Sequence, residues 1–348
     1  MDSLTQIVLG AAVGETALGR KVGNKALLWG AIAGTIPDLD VVYIQLIGGD
    51  AIDEIVLHRG FSHSILFAFL MAPILGWLVN WLYRKKDEAD FSGWTTLFFW
   101  SIFTHPLLDS LTTYGTQLFL PFSDHRVSIA SVFVVDFFYT LPFLLCVVGV
   151  SMMARTNGLR KRLNYIGLGL SSTYLLIGLF NKYLAEQVFE RDLAREPEKM
   201  GLVFTGVTPL NILLWYGVAE SEDAFLVGYY SFLDEDKEVD WVSFEKNHHL
   251  LDGIENEYGI DRLKWFSDKL YVVTEQGSDT LNLYTMKFGR SKFVSEKPED
   301  SFAFYMRVIR TADGTLKYEA VRDVESIDMK TQLSLLFQRA LGSRDIMR

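Results

Sequence analysis

His58-Arg59-Gly60-Phe61-Ser62-His63-Ser64 runs without a break into Ile65-Leu66-Phe67-Ala68-Phe69-Leu70-Met71-Ala72-Pro73-Ile74-Leu75-Gly76-Trp77-Leu78-Val79-Asn80-Trp81-Leu82, and this stretch decides the fold. A string rich in imidazole is followed by an uncharged segment, 63–82, long enough to cross a bilayer. The pattern recurs along the first half of the chain. Pro37-Asp38-Leu39-Asp40, His105-Pro106-Leu107-Leu108-Asp109 and Asp124-His125-Arg126 each lie at the end of an apolar run or in a loop beside one. Further apolar runs cover 26–47, 94–110, 128–153 and 163–184, with a shorter Gly-rich stretch at 4–19 that contains Glu15. These runs predict an α-helical membrane domain of about five or six transmembrane helices over residues 1–186.

Composition divides the 348-residue chain in the same place. Aromatic residues make up 14% of it and its mean hydropathy is +0.17, both high for a soluble enzyme. The net charge of −10 splits as −1 for residues 1–186 and −9 for residues 187–348. The second part therefore reads as an acidic, water-exposed domain, and nucleic acid is not expected as a partner. The single cysteine, Cys146, excludes an intrachain disulfide and a thiolate zinc cluster. Met1-Asp2-Ser3 lacks the basic start of a cleavable signal peptide, so the first apolar segment is expected to remain.

Basic residues set the expected orientation. Arg20, Lys21 and Lys25 precede the second segment, Arg84, Lys85 and Lys86 follow the third, and Arg155, Arg160, Lys161 and Arg162 separate the last two. Counting crossings places all three groups on one side, which the positive-inside rule makes cytoplasmic. The four polar clusters and residues 187–348 then fall together on the other side. This makes a multi-pass protein of the plasma membrane with its chemistry on the extracytoplasmic face.

The carboxy-terminal domain reads as mainly β within an α+β fold. Stretches at 201–208, 212–219, 224–232, 270–274, 281–288, 302–310 and 316–321 are rich in β-branched and aromatic residues, with turn signals at 276–279 and 312–314. Val239–His249 and Asp323–Leu341 are expected to be helical. The adjacent His248 and His249 read as surface histidines.

The clusters carry ligands suited to a divalent metal, zinc above all, with manganese as the alternative. His105 and Asp109 stand at i and i+4, one turn apart on a helix face, so both reach one cation. Pro37 bends the chain, biasing Ile36 away from helix, and either Asp38 and Asp40 both reach a metal or one of them orients a ligating histidine. His58 and His63 converge if residues 58–62 form a loop, with Ser62 as the N-cap of the next helix. His125 completes the candidate ligands. Arg59 and Arg126 beside such ligands suggest an anionic substrate, phosphate above all. The alternative is simple pairing with Asp53, Glu54 or Asp124. Asp136, inside an apolar run, needs a partner, and a metal or His125 would serve.

In the order of these strings, from Met1-Asp2-Ser3-Leu4-Thr5 through Ile36-Pro37-Asp38-Leu39-Asp40, His58 to Ser64 and His105 to Asp109, the chain resembles the YdjM-like family of membrane-bound metal-dependent hydrolases over about its first 140 residues. That family is in turn similar in pattern to zinc-dependent phospholipases C and single-strand nucleases, a likeness that by itself does not set function. The family usually carries histidine after its opening Leu-Thr, where this chain has Gln6, a poor zinc ligand. The resemblance implies a bacterial inner-membrane hydrolase. Thr208-Pro209-Leu210-Asn211 followed by Trp215 is similar to sequences that accompany this domain in some relatives.

The resulting expectation is a metal-dependent hydrolase that cleaves a phosphoester of a lipid or lipid-linked substrate at the outer leaflet. Asp38, His63, His105 and Asp109 form the core ligand set, with Asp40, His58 and His125 as further ligands or their supports. Arg59 and Arg126 hold the phosphate, and Asp40 or Asp136 takes the proton from water. The alternative from another class is a non-catalytic metal sensor or scaffold whose outer domain binds a partner. A metal transporter is a weaker reading, because the inner halves of the apolar runs carry almost no ligating groups.

Overall fold

The computed structural model describes residues 1–84, 89–195, 201–290, 297, 301–302, 304–322 and 329–344. The chain divides into two compact units, one of Met1–Ile47 and Leu57–Gly178, the other of Gly48–Val56 and Leu179–Arg348.

The first unit is helical. Helix α1 (Ser3–Val22) begins where the Asp2 carboxylate accepts from Thr5 N, and α2 (Asn24–Thr35) returns along it after Gly23. The two approach closely because glycines face each other. A Cβ on Gly10 would lie 2.3 Å from the Gly30 carbonyl oxygen, and one on Gly30 would lie 2.2 Å from that of Gly10. Small residues allow this backbone contact, which apolar surroundings favour. Gly30→Val should therefore force the pair apart and destabilise the unit by about 1–3 kcal/mol, the usual cost of overpacking. Thermal unfolding in detergent checks this, and an unshifted midpoint would show that the contact is slack.

A short 3₁₀ turn at Pro37–Leu39 leads from α2 into α3 (Asp40–Leu46); α4 (Ala51–Leu57), next in the chain, belongs to the second unit except for Leu57. The chain bends here by 44°, as Pro37 suggests, yet Ile36 keeps right-handed helical angles. A second 3₁₀ turn, Phe61–His63, enters α5 (Ile65–Tyr83). The N-cap of α5 is Ser64, whose Oγ accepts from Phe67 N. Ser62, expected in that role, instead donates to Asp40. Helix α6 (Phe91–Ser110) passes through the interior, with Trp94, Leu97, Phe98 and Ile102 buried. Helix α7 (Phe137–Ser151) and the part of α8 (Gly158–Leu193) up to Gly178 complete the unit.

Fewer helices qualify as spans by length and composition than the apolar runs imply. Among the described residues, α5 and α8 are long and apolar enough to cross a membrane, and the bent pair 24–46 makes up to three. The run 26–47 is broken at Pro37. Residues 128–136 precede the helix in the run 128–153, which leaves α7 at 15 residues. Helix α1 contains Glu15, Arg20 and Lys21, and α6 carries serine, threonine, histidine and aspartate among its apolar residues. Glu15 is matched inside the unit by a two-pronged pair with Arg160, at 2.7 Å from Nε and 2.6 Å from a terminal guanidinium nitrogen. On α5, Phe69, Ile74, Trp77 and Trp81 remain exposed, as a lipid-facing helix requires.

The second unit holds two four-stranded antiparallel sheets. One has the order β1 (Leu202–Val207), β2 (Leu214–Glu220), β3 (Ala224–Ser231), β4 (Trp241–Glu245). The other has β5 (Tyr271–Glu275), β6 (Thr280–Thr285), β7 (Phe304–Arg310), β8 (Leu316–Arg322). Tyr216, Val218, Phe225, Val227, Val272 and Tyr284 share one core with Leu336 of the last helix, α10 (Met329–Ala340). Val239–His249, expected as helix, contains β4 instead. Its Val242 and Phe244 pair with Val227 and Phe225, and β-branched and aromatic side chains suit that pleated surface. Helix α9 (Tyr258–Phe266) was not anticipated, though Ile260, Leu263 and Phe266 form a buried stripe at helical spacing. Within the expected helix 323–341, residues 323–328 lie outside the described residues.

Candidate metal centre

Three elements bring four ligating side chains together. Asp38 comes from the turn after α2, His63 from the turn before α5, and His105 with Asp109 from the last turns of α6. One ligand atom from each lies within 4.8 Å of the others. His63 Nε2 stands 3.4 Å from Asp38 Oδ1 and 3.4 Å from Asp109 Oδ2. His105 Nε2 stands 3.4 Å and 3.6 Å from the same two oxygens, and 3.1 Å from His63 Nε2. Bonds of about 2.0–2.1 Å to a tetrahedral zinc imply edges of roughly 3.3–3.4 Å between ligand atoms. These five separations run from 3.1 to 3.6 Å, around that value, so these residues fit such an ion.

The outer nitrogens fix how the two imidazoles face. His105 Nδ1 lies 2.6 Å from the Gly34 carbonyl, which only accepts, so Nδ1 carries the proton and Nε2 presents a lone pair inward. His63 Nδ1 lies 3.3 Å from Asp40 Oδ2, which directs its Nε2 inward likewise. Two inward-facing lone pairs beside two carboxylates repel one another unless a cation or proton lies between them. Burial works against charge on His63, but hydrogen bonds to Asp109, Asp38 and Asp40 outweigh it and push the imidazole up to about 10. Metal binding must displace such a proton.

Asp40 supports the ligands rather than joining them. Its carboxylate accepts from Arg59 N at 2.9 Å and Ser62 Oγ at 3.1 Å, faces His63, and holds His58 Nδ1 at 3.0 Å. A carboxylate behind a ligating histidine orients the ring and raises its basicity. His58 is thus brought to Asp40 and is not one of the four.

Arg59 lies against the centre. Its Nε is 3.2 Å from Asp109 Oδ2, and a terminal nitrogen donates to Thr112 Oγ1 at 2.8 Å. The backbone holds a left-handed φ of +58° here, a conformation that favours glycine. It is fixed by the Arg59 N–H to Asp40 and by Gln117 N donating to the Arg59 carbonyl. Arg126 sits further out, donating to the Tyr114 carbonyl at 2.5 Å. Both guanidiniums flank the Tyr114 ring, at 5.0 Å and 4.8 Å from its centroid.

Two candidates are not brought to the centre. Asp136 is the N-cap of α7, accepting from Phe138 N and Tyr139 N on one oxygen and from the Tyr174 hydroxyl on the other. Its expected partner is therefore a tyrosine and a helix end, not a metal or His125. His125 is exposed, its N–H donating to Ser123 Oγ. His248 lies in the second unit, stacked on Tyr271 and 2.9 Å from that residue's carbonyl.

Thr112 and Tyr114, just after Asp109, lie in a stretch with no chemical signature in the sequence. Gln6 stands out there only as a departure from the family's histidine. In the structure its amide nitrogen donates to Asp109 Oδ1 at 3.0 Å and to the His105 carbonyl at 3.2 Å. The Met1 amino nitrogen also contacts Asp109. The Gln6 position therefore still touches the ligands, but through a donor that steadies Asp109.

Comparison with known proteins places the helical part of the chain in a family. The YdjM inner membrane protein family matches residues 1–185. The chain belongs to that family. It is 36% identical over 112 residues to the inner membrane protein YbcI of Escherichia coli (strain K12), covering 31% of this chain and 61% of that protein. It is 30% identical over 151 residues to the uncharacterized protein YfhP of Bacillus subtilis (strain 168), covering 41% of this chain and 44% of that one. The chain thus spans less than two thirds of either relative. No solved structure matches it significantly. As a member of the YdjM family the chain is an inner-membrane protein, with a buried His/Asp group that can hold a metal ion.

Proposed function

We propose that the chain is a metal-dependent hydrolase acting on a phosphoester of a lipid or lipid-linked substrate. The observation that carries the reading is the group of Asp38, His63, His105 and Asp109 with a buried guanidinium, Arg59, against it. Zinc, or manganese, bound there would acidify a water and polarise a phosphoryl oxygen. Asp38 alone of the four has appreciable exposure, its side chain 23% accessible against 0% for the others, so substrate enters on its side. Arg59, with Arg126 further out, offers planar donors that match phosphate oxygens. Because Asp40 is engaged by four groups, the proton-moving role falls to the His58–Asp40 pair. Asp40 holds the His58 Nδ1 proton and leaves Nε2 to take one from water.

A closed set of four protein ligands at tetrahedral spacing favours a second reading, a non-catalytic metal-stabilised sensor or scaffold, since structural zinc sites are closed. The deciding experiment incubates the purified protein with phospholipid and undecaprenyl-type phosphoesters in nanodiscs, with and without chelator. Chelator-sensitive release of phosphate or headgroup is expected, and no release from any substrate would favour the scaffold.

We also propose that the centre and residues 187–348 lie outside the cytoplasm, on the basis of the basic residues at 20–25, 84–86 and 155–162. In a Cys146→Ala background, an impermeant maleimide on intact spheroplasts should label Ser123→Cys and Asp240→Cys but not Ser92→Cys. The reverse pattern would move the chemistry to the cytoplasmic face.

A further inference from the structure

Far along α1 from the metal ligands lies a second polar feature that the hydrolase reading does not use. A cavity of about 420 Å³ is lined by Glu15, Arg20, Arg155, Asn157, Arg160 and Lys161, among others. Gln6, which touches Asp109, and Arg20 are fourteen residues apart on one helix, or about 21 Å at 1.5 Å per residue. The two sites are therefore separate.

The cavity has a built floor. Arg160 is 2% exposed and grips Glu15 through two nitrogens. Its remaining terminal nitrogen donates to Asn24 Oδ1 and to the Met153 carbonyl, each at 2.7 Å. The one carboxylate in the lining is thus already neutralised, and Arg20, Arg155 and Lys161 leave an excess of three positive charges. Arg155 is positioned by donating to the Lys21 carbonyl at 2.5 Å. The amino end of the 36-residue α8 opens at the same place and adds its positive pole.

The surroundings say which anion fits. Leu159, Tyr165 and Ile166 on α8 are exposed, 57%, 48% and 54% respectively, and Lys161 Nζ lies 5.4 Å from the Tyr165 ring centroid. An apolar face with an aromatic residue and a basic group at its end is the environment of an acyl chain and its headgroup. Charges that only orient a helix need no concavity, whereas basic pockets between membrane helices bind anionic headgroups. The volume suits one such group.

We infer that this cavity binds the phosphate of an anionic phospholipid headgroup. The full chain in neutral detergent is titrated with dioctanoyl phosphatidylglycerol, dioctanoyl phosphatidylcholine and inorganic phosphate, read by native mass spectrometry and thermal midpoint. Phosphatidylglycerol should bind and raise the midpoint, and phosphatidylcholine should do neither. Arg20→Gln and Lys161→Gln should each weaken phosphatidylglycerol about fivefold, from about 1 kcal/mol per basic residue, and about 25-fold together. Both leave the floor of the cavity intact, and the metal content of each should match that of the parent. Equal binding of the two lipids, or full affinity in the double variant, would overturn the inference. Inorganic phosphate that competes at similar concentration would overturn the lipid assignment and leave a free-anion site.

Discussion

His105→Ala and Asp109→Ala are each expected to lose bound metal outright, while Asp40→Ala weakens it only by about 10–100-fold. The difference follows from position. His105 Nε2 and Asp109 Oδ2 point into the group of four, whereas Asp40 reaches it only through His63 Nδ1. Removing Asp40 frees the His63 ring to turn but leaves its lone pair available. His248→Ala should change nothing, since that ring is stacked on Tyr271 in the other unit. Emission spectroscopy on protein purified without added metal gives the stoichiometry, and a thermal melt shows that each variant is folded. Full occupancy in folded His105→Ala and Asp109→Ala would reduce the pair to a structural hydrogen-bonded unit within α6.

Arg59→Lys is expected to keep the metal and lose turnover by about 10²–10³-fold, the usual effect of removing one preorganised donor at developing charge. Lysine preserves the charge beside Asp109 and faces the same cost at φ +58°, so the backbone is not the variable. It cannot present two coplanar N–H groups to a phosphate. The nearest null outcome is instructive. If Arg59 only neutralises Asp109, lysine replaces it and the rate on phosphoester substrates is unchanged, which removes the residue from the mechanism.

The four-residue centre was legible because its chemistry is local. His105 and Asp109 are one helical turn apart, and Asp38 and His63 stand beside breaks that Pro37 and Gly60 announce. Roles within the site were less legible, since they depend on which ring nitrogen faces which neighbour. His58 and His63 look equivalent in sequence, and both contact Asp40, yet only His63 also turns a ring nitrogen into the four-residue group. Arg59 was expected to pair with Asp53 or Glu54 if it was not functional, and it instead reaches across to Asp109. Asp136 misled because a carboxylate in an apolar run is costly, and a helix N-cap with a tyrosine partner removes that cost without any metal. The span count is legible only in part: among the described residues α5, α8 and the bent pair 24–46 are long and apolar enough to cross, whereas α6 mixes serine, threonine, histidine and aspartate into its apolar run. In the second unit the strands were read from their β-branched and aromatic content, and β4 was mistaken for helix because it is short and flanked by charge.

The most direct test is anomalous diffraction from crystals of the full chain, collected on both sides of the zinc and manganese absorption edges. A peak is expected, bounded by Asp38 Oδ1, His63 Nε2, His105 Nε2 and Asp109 Oδ2, with bonds near 2.0–2.1 Å if the ion is zinc. No anomalous peak there in crystals soaked in zinc or manganese, with His63 held between the carboxylates by hydrogen bonds alone, would be the contradicting result.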